Sequence, residues 1–346
     1  MTLARTRLAT GIAVLAVLAG ACSRPPAVTP LRGTTMATTW SVQVADPVAD
    51  RDALRASVQS SLDRIERLMS TYMPASEVSR FNASPSTGWM PVDRQTCDVV
   101  RLALDVSEQS GGAFDITVAP LVNLWGFGPD GTITDRPDRE RIDSLRERTG
   151  YRRLEADCTR PAIRKSHPAL EIDLSGIAKG YAADIVAKRL EEESVDNYLV
   201  EIGGEMRLKG SKPDGASWRI GIEAPDRDQR AVFDALALAD AGVATSGDYR
   251  NYLEFDGRYY SHTIDPRTGN PVEHATAAVT VIAENAAFAD AMATALLVLG
   301  SDDGLALAER ENIAALFLNR TAAGVESIAS TGFAEQRRIN DAREQR

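Results

Sequence analysis

Three short stretches concentrate the residues able to do chemistry. The first is Glu171-Ile-Asp-Leu-Ser-Gly-Ile-Ala-Lys-Gly-Tyr181. It passes from a strand-like run, Leu170 to Leu174, through small residues into a helix. A helix N-terminus offers unsatisfied N–H groups and partial positive charge, which suits phosphate oxygens. Gly176 lets a ligand or ion approach the backbone closely. Asp173 stands at that mouth, and Lys179 falls in the first helical turn, where it opposes the helix dipole unless an anion is near. A capped helix with a solvated lysine is the plainer alternative.

The second stretch lies between Asn285 and Gly300, where Asp290 is the only charged residue. Asp290 and Thr294 are four apart and share a helical face. An ionised carboxylate in an apolar helix is costly unless it is paired or binds a cation. A carboxylate and a hydroxyl are hard oxygen ligands that suit Mg²⁺, which completes its shell with water and substrate phosphate. An exposed early-turn Asp favouring the helix dipole is the competing account.

The third is Ser261-His-Thr-Ile-Asp-Pro-Arg-Thr-Gly-Asn-Pro271. His262 ends a strand beside a turn built from Asp265-Pro266 and Gly269, where it can serve as a general base or stay structural. The other two histidines read as a loop residue (His167) and a surface residue (His274). Tyr72 and Phe114 could flank a planar ring, or simply fill core.

The elements that position these groups follow from periodicity. Met36 to Val44 alternates as a half-buried strand, with the folded part opening at Gly33. Leu54, Val58, Leu62, Ile65 and Leu68 line one helical face. A helix from Asp93 to Ser110 stops at Gly111-Gly112. Gly203-Gly204 and Asp256-Gly257 each sit between strand-like runs and predict hairpins. Thr276 to Ala283 is a buried strand, and Ala286 to Leu299 a helix ending at Gly300. The charged stretch Phe333 to Arg346 reads as a frayed tail. Hairpins interspersed with helices predict an α+β fold with mainly antiparallel sheets and packed helices. Neither a dinucleotide-binding nor a P-loop glycine pattern is present.

Residues 1–21 have a basic start (Arg5, Arg7), an apolar run from Leu8 to Ala21, and small residues before Cys22. At 1.5 Å per residue that run makes about 21 Å of helix, short for a membrane span. It reads as a cleaved signal peptide followed by a lipidated Cys22, with unlipidated cleavage after Ala21 as the alternative. The proline-containing stretch to Arg32 reads as a tether. The net charge of −10, with no basic stripe, argues against nucleic acid. Cys97 and Cys158 carry no metal or redox spacing. A disulfide is open to them in an oxidising compartment, but structural or free thiols are the expectation.

Taken together, Gly112-Ala-Phe-Asp115, Asp173-Leu-Ser-Gly-Ile-Ala-Lys-Gly-Tyr-Ala182, Ile202-Gly-Gly204, Thr245-Ser-Gly247 and His262-Thr-Ile-Asp-Pro-Arg-Thr-Gly269 resemble the ApbE-type FAD:protein FMN transferases. The similarity runs from about Gly33 to Gly332, with Glu205 where many relatives have Asp. The resemblance implies an ApbE-like fold and FAD contacts at Met36, Tyr72, Ala113, Phe114, Asp115, Asp173, Lys179 and from His262 to Ile264. It also implies Mg²⁺ ligation by the Gly176 carbonyl, Asp290 and Thr294. FMN would pass from FAD to a threonine or serine hydroxyl of an acceptor protein, and AMP would leave. His262 is the candidate base, with a nearby Asp as its rival. The acceptor would carry an Asp-x-x-Ser/Thr-x-x-Ala-Thr-like site on a membrane redox subunit. The enzyme would be tethered by Cys22 at the periplasmic face of a bacterial membrane, the inner favoured over the outer. An Mg²⁺-dependent FAD pyrophosphatase and a non-catalytic FAD-binding lipoprotein are the alternatives.

Overall fold

The Gly203-Gly204 pair closes a tight turn at φ 63° and 112°, so Tyr198–Ile202 and Glu205–Lys209 fold back on one another as the sequence predicts. This hairpin is the middle of an eight-stranded sheet in the computed structural model, which describes residues 28, 30–227, 229–255 and 257–344. In spatial order the strands are Leu31–Thr35, Thr38–Val44, Tyr198–Ile202, Glu205–Lys209, Ala241–Gly247, Thr276–Ala283, Ala314–Thr321 and Gly324–Ala329. Every neighbouring pair is antiparallel. The proposed signal segment and Cys22 lie outside the described residues.

The helices are α1 (Arg51–Met69), α2 (Glu77–Ala83), α3 (Arg94–Gln109), α4 (Ala119–Leu124), α5 (Arg139–Arg146), α6 (Ala178–Glu192), α7 (Ala286–Arg310) and α8 (Thr331–Glu344). One sheet face is covered by α1, α6 and α7, with Trp40, Val200, Val279, Val281 and Leu296 in its core. The other face is covered by the ribbon Trp218–Glu223/Val232–Leu238 and by α8, with Trp218, Leu236, Tyr249 and Phe333 buried there. A third apolar cluster joins α4 and α5 to Tyr260 and Ile264.

α7 is long and apolar enough to span a bilayer by composition, yet most of its residues are buried in this core. It breaks at Gly300 (φ 75°, ψ 178°), where the sequence predicts a stop, and resumes as a second helical segment to Arg310. Its first turn is held from α6: Asp184 accepts from the Ala286 and Ala287 N–H groups, both at 2.9 Å. At Gly180 the two helices come so close that a Cβ would lie 2.3 Å from the Ala286 carbonyl oxygen.

Four expectations need correction. The first strand opens at Leu31 rather than Gly33, so part of the expected tether is already sheet. Leu170 to Leu174 belongs to no strand. Its backbone is held instead by a side chain, because Asn82 accepts from Ile172 N–H at 2.8 Å and donates to Ile172 C=O at 2.9 Å. The frayed tail is α8, pinned by Phe333 (1% exposed) and by Arg337 pairing with Asp234 at 2.6 Å. Cys97 and Cys158 are not free thiols but a disulfide joining α3 to the turn after Leu154–Asp157.

Candidate active site

A cavity of about 650 Å³ opens where the Gly203-Gly204 turn, the end of Ala241–Gly247, the α6 N-terminus and α7 converge. Ala113, Phe114, Asp115, Asp173, Gly176, Lys179, His262, Ile264, Asp290 and Thr294 all line it. Met36 and Tyr72 do not. Met36 sits at φ 48° in the turn between the first two strands, packed against the core. Tyr72 is exposed and donates to the Phe127 carbonyl at 3.2 Å. Beside it lies a smaller cavity of about 260 Å³ that shares Asp173 with the larger one.

At the base of the large cavity, Asp290 is 2% exposed on α7. Its Oδ2 accepts from Gly180 N–H at 3.0 Å and lies 4.0 Å from Lys179 Nζ. Lys179 also pairs with Glu205 Oε1 at 3.0 Å. Burial works against the Lys179 ammonium, but Asp290, Glu205 and Asp173 outweigh it and hold its pKa above the ordinary lysine value. Burial pushes the Asp290 carboxyl up, opposed by Lys179 and the Gly180 N–H. Glu205 is likewise raised by burial, against the pull of Lys179. One cation faces two buried carboxylates, so the cluster has room for more positive charge.

The same corner is rich in hard oxygens. A Cβ on Gly176 would lie 3.5 Å from Thr294 Oγ1 and 3.2 Å from the Phe114 ring, so the α6 entry is drawn tight against α7. Ser246 and Thr294 share a hydroxyl hydrogen bond of 3.0 Å. Glu205 Oε2 is buried without a hydrogen-bond partner. An orphaned carboxylate oxygen, a buried Asp and a hydroxyl beside an exposed backbone turn fit a divalent cation with an oxygen shell.

His262 sits on the cavity wall after the hairpin Tyr252–Phe255/Arg258–Ser261. Its Nδ1 lies 3.0 Å from the Asn251 carbonyl oxygen. A carbonyl accepts only, so Nδ1 carries the hydrogen and the neutral ring keeps its lone pair on Nε2. Burial lowers its pKa, partly offset by the Asn251 contact. The ring is therefore held neutral, in the tautomer a general base needs.

Asp115 lines the cavity and also braces the turn that carries it. Its Oδ1 accepts from Thr117 N–H and Oγ1, and its Oδ2 from Tyr151 N–H. These bonds tie the 113–118 turn in place, and burial pushes its pKa up against their pull. Asp173 is positioned from behind. Its N–H donates to the Ile116 carbonyl at 2.7 Å, and the residues before it are clasped by Asn82 and by Lys165. The Lys165 ammonium is fully buried and donates to the Leu170, Phe81 and Asn82 carbonyls at 2.8, 3.1 and 3.3 Å.

Sequence reasoning missed Asn82 and Lys165 altogether. Ser246 and Glu205 were named only inside the Thr245-Ser-Gly247 match and after the Gly203-Gly204 turn, without a role in the site.

Residues 36–317 match the model of the ApbE family. An FAD:protein FMN transferase of Vibrio cholerae is 42% identical over 324 residues, covering 93% of this chain and 96% of that protein. Its Escherichia coli K12 counterpart is 40% identical over 296 residues, 85% and 84% of the two chains. Among solved structures, the flavin transferase ApbE from Vibrio cholerae superposes with a TM-score of 0.82 at 41% identity, over 89% of this chain and 98% of that one. The apo form of the Pseudomonas stutzeri flavinyl transferase ApbE gives 0.81 at 42% identity, over 90% and 97%.

Proposed function

The chain belongs to the ApbE family and transfers FMN from FAD to an acceptor protein; we propose that it does so with Mg²⁺, onto a threonine or serine hydroxyl, releasing AMP. The observation that carries this reading is the buried Asp290 carboxylate beside Thr294, Gly176 and Lys179 at the base of one cavity. Asp290, Thr294 and the Gly176 carbonyl would hold the metal, which when bound would neutralise and orient the pyrophosphate oxygens.

The chain's own groups account for the remaining work. Lys179 faces the pyrophosphate and offsets charge that builds on it as the bond to AMP lengthens. His262 Nε2 takes the proton of the acceptor hydroxyl, whose oxygen forms the new bond to the FMN-side phosphorus. The phosphorus–oxygen bond to AMP breaks, and AMP leaves with the electron pair. Phe114 and Ile264 give the cavity apolar wall for the flavin or adenine ring.

The same reading puts the enzyme at the periplasmic face of a membrane through a lipidated Cys22. The Cys97–Cys158 disulfide supports an oxidising compartment. A palmitate analogue should label the wild type and not Cys22→Ala; equal labelling of both would end the anchor.

The decisive reaction mixture holds protein, FAD, Mg²⁺ and an acceptor carrying a candidate hydroxyl. Acceptor mass should rise by the FMN phosphoryl moiety as an equal amount of AMP appears, and chelation of the metal should stop both. FMN and AMP released at an acceptor-independent rate would make the protein a pyrophosphatase. FAD bound without turnover would make it a carrier.

A further inference from the structure

The hairpin that delivers His262 has two unlike faces. Its register pairs Tyr252 with Ser261 and Glu254 with Tyr259, so Tyr252, Glu254 and Tyr259 share one face and Leu253 and Tyr260 the other. Tyr260 is buried and stacks on Trp125 at 5.7 Å. The opposite face looks outward: Tyr252 is 37% exposed and Tyr259 50%. Their rings meet edge to face at 5.2 Å, and the Arg227 guanidinium lies over both, 5.0 and 4.2 Å from the centroids. Nearby, Val232 is 69% exposed opposite Glu223, which binds Arg250 just before the hairpin.

We propose that this Tyr252–Tyr259–Arg227 face is the docking surface for the acceptor protein, taking apolar side chains that flank the hydroxyl to be modified. The inference rests on the transferase reading above. What selects the occupant is continuity with the reactive cavity. Arg250 and Asn251 line that cavity directly before Tyr252, and His262 lines it directly after Ser261. A protein hydroxyl reaching Nε2 of His262 must therefore lay its neighbouring residues on this rim. Tyrosine rings with a guanidinium laid over them are the surface chemistry that anchors protein partners. The rival occupant is the adenine ring of FAD, which would also stack on tyrosine.

The test is the double substitution Tyr252→Ser, Tyr259→Ser in the whole enzyme, beside Tyr252→Phe, Tyr259→Phe. Three quantities are read: KM for an intact acceptor protein, kcat at saturating acceptor, and Kd for FAD by flavin fluorescence. Losing about 1.4 kcal/mol of contact is a tenfold change, so the serine variant should raise acceptor KM about tenfold or more. Its kcat and FAD Kd should stay close to wild type, and the phenylalanine variant should stay close in all three. An unchanged acceptor KM overturns the proposal. A FAD Kd that weakens in step with KM also overturns it, assigning the face to adenine. Failure of the wild type to modify any acceptor overturns the transferase reading itself and is seen before any variant is made.

Discussion

Replacing Asn82 with alanine tests whether the site is built from behind. Asn82 touches Ile172 through two hydrogen bonds, at 2.8 and 2.9 Å, and Ile172 is fully buried. Alanine would strand one buried N–H and one C=O, each costing about 1–3 kcal/mol. Asn82 also lines the smaller cavity, so water can partly replace it, and the expected loss is about 2–3 kcal/mol of stability. For a chain of this size that corresponds to a fall in melting temperature of roughly 3–5 °C. Asp173 follows one residue later and the Gly176 turn three beyond that, so displacement reaches the catalytic cavity. A misplacement of about 1 Å can cost about a hundredfold in rate. Thermal melts and single-turnover FMN transfer check both effects, with FAD affinity measured separately. Asn82→Asp keeps the acceptor for Ile172 N–H and loses the donor, so it should fall between alanine and wild type. If Asn82→Ala melts with the wild type and transfers at its rate, the clasp is incidental.

Three further outcomes are expected. Asp290→Asn should keep the fold, because the carboxamide oxygen can still accept from Gly180 N–H; a loss of about 3 kcal/mol would slow transfer roughly a hundredfold. Titration calorimetry should show weaker Mg²⁺ binding, with Thr294→Val showing a smaller defect of the same kind; wild-type affinity in Asp290→Asn would make this acid a mere helix residue. His262→Ala should bind FAD normally and transfer about 10²–10⁴-fold more slowly. Because burial lowers the His262 pKa, the neutral base persists as pH falls, and kcat/KM in the wild type should drop only below about pH 6.5; a profile already falling above that value would point to another base. Reducing Cys97–Cys158, which are 61 residues apart, should destabilise the protein by up to about 4 kcal/mol on chain-entropy grounds; identical denaturant midpoints with and without reductant would contradict that.

The sequence was legible where one local signal sufficed. The Gly203-Gly204 and Asp256-Gly257 pairs announce their hairpins because few other residues tolerate those turns. Asp290 stands out because an acid among apolar residues needs a reason. Lys179 was visible as a cation at the wrong end of a helix. What stayed hidden depends on partners far along the chain. Leu170 to Leu174 has the composition of a strand, but its partner is the Asn82 side chain, 90 residues from Ile172. Lys165 carries no local signal of burial, yet it is fully buried because three carbonyls converge on it. α8 looked like a charged tail because one buried Phe333 among many charges leaves little periodic signal. Cys97 and Cys158 show no motif because their pairing is set by how α3 lies against the turn that carries Cys158.

The contact between α6 and α7 has a consequence for how such an enzyme changes over generations. Lys179 and Asp290 are locked together by Gly180 and by the Asp184 carboxylate on the first turn of α7. Any side chain at Gly180 would push Asp290 and its helix away, so the phosphate-handling end of the molecule offers almost no neutral route for drift. The rim hairpin is held on one face by buried Tyr260 and leaves Tyr252 and Tyr259 exposed on the other. A lineage can thus exchange one client protein for another by rewriting surface tyrosines and arginines while inheriting the reaction centre unaltered.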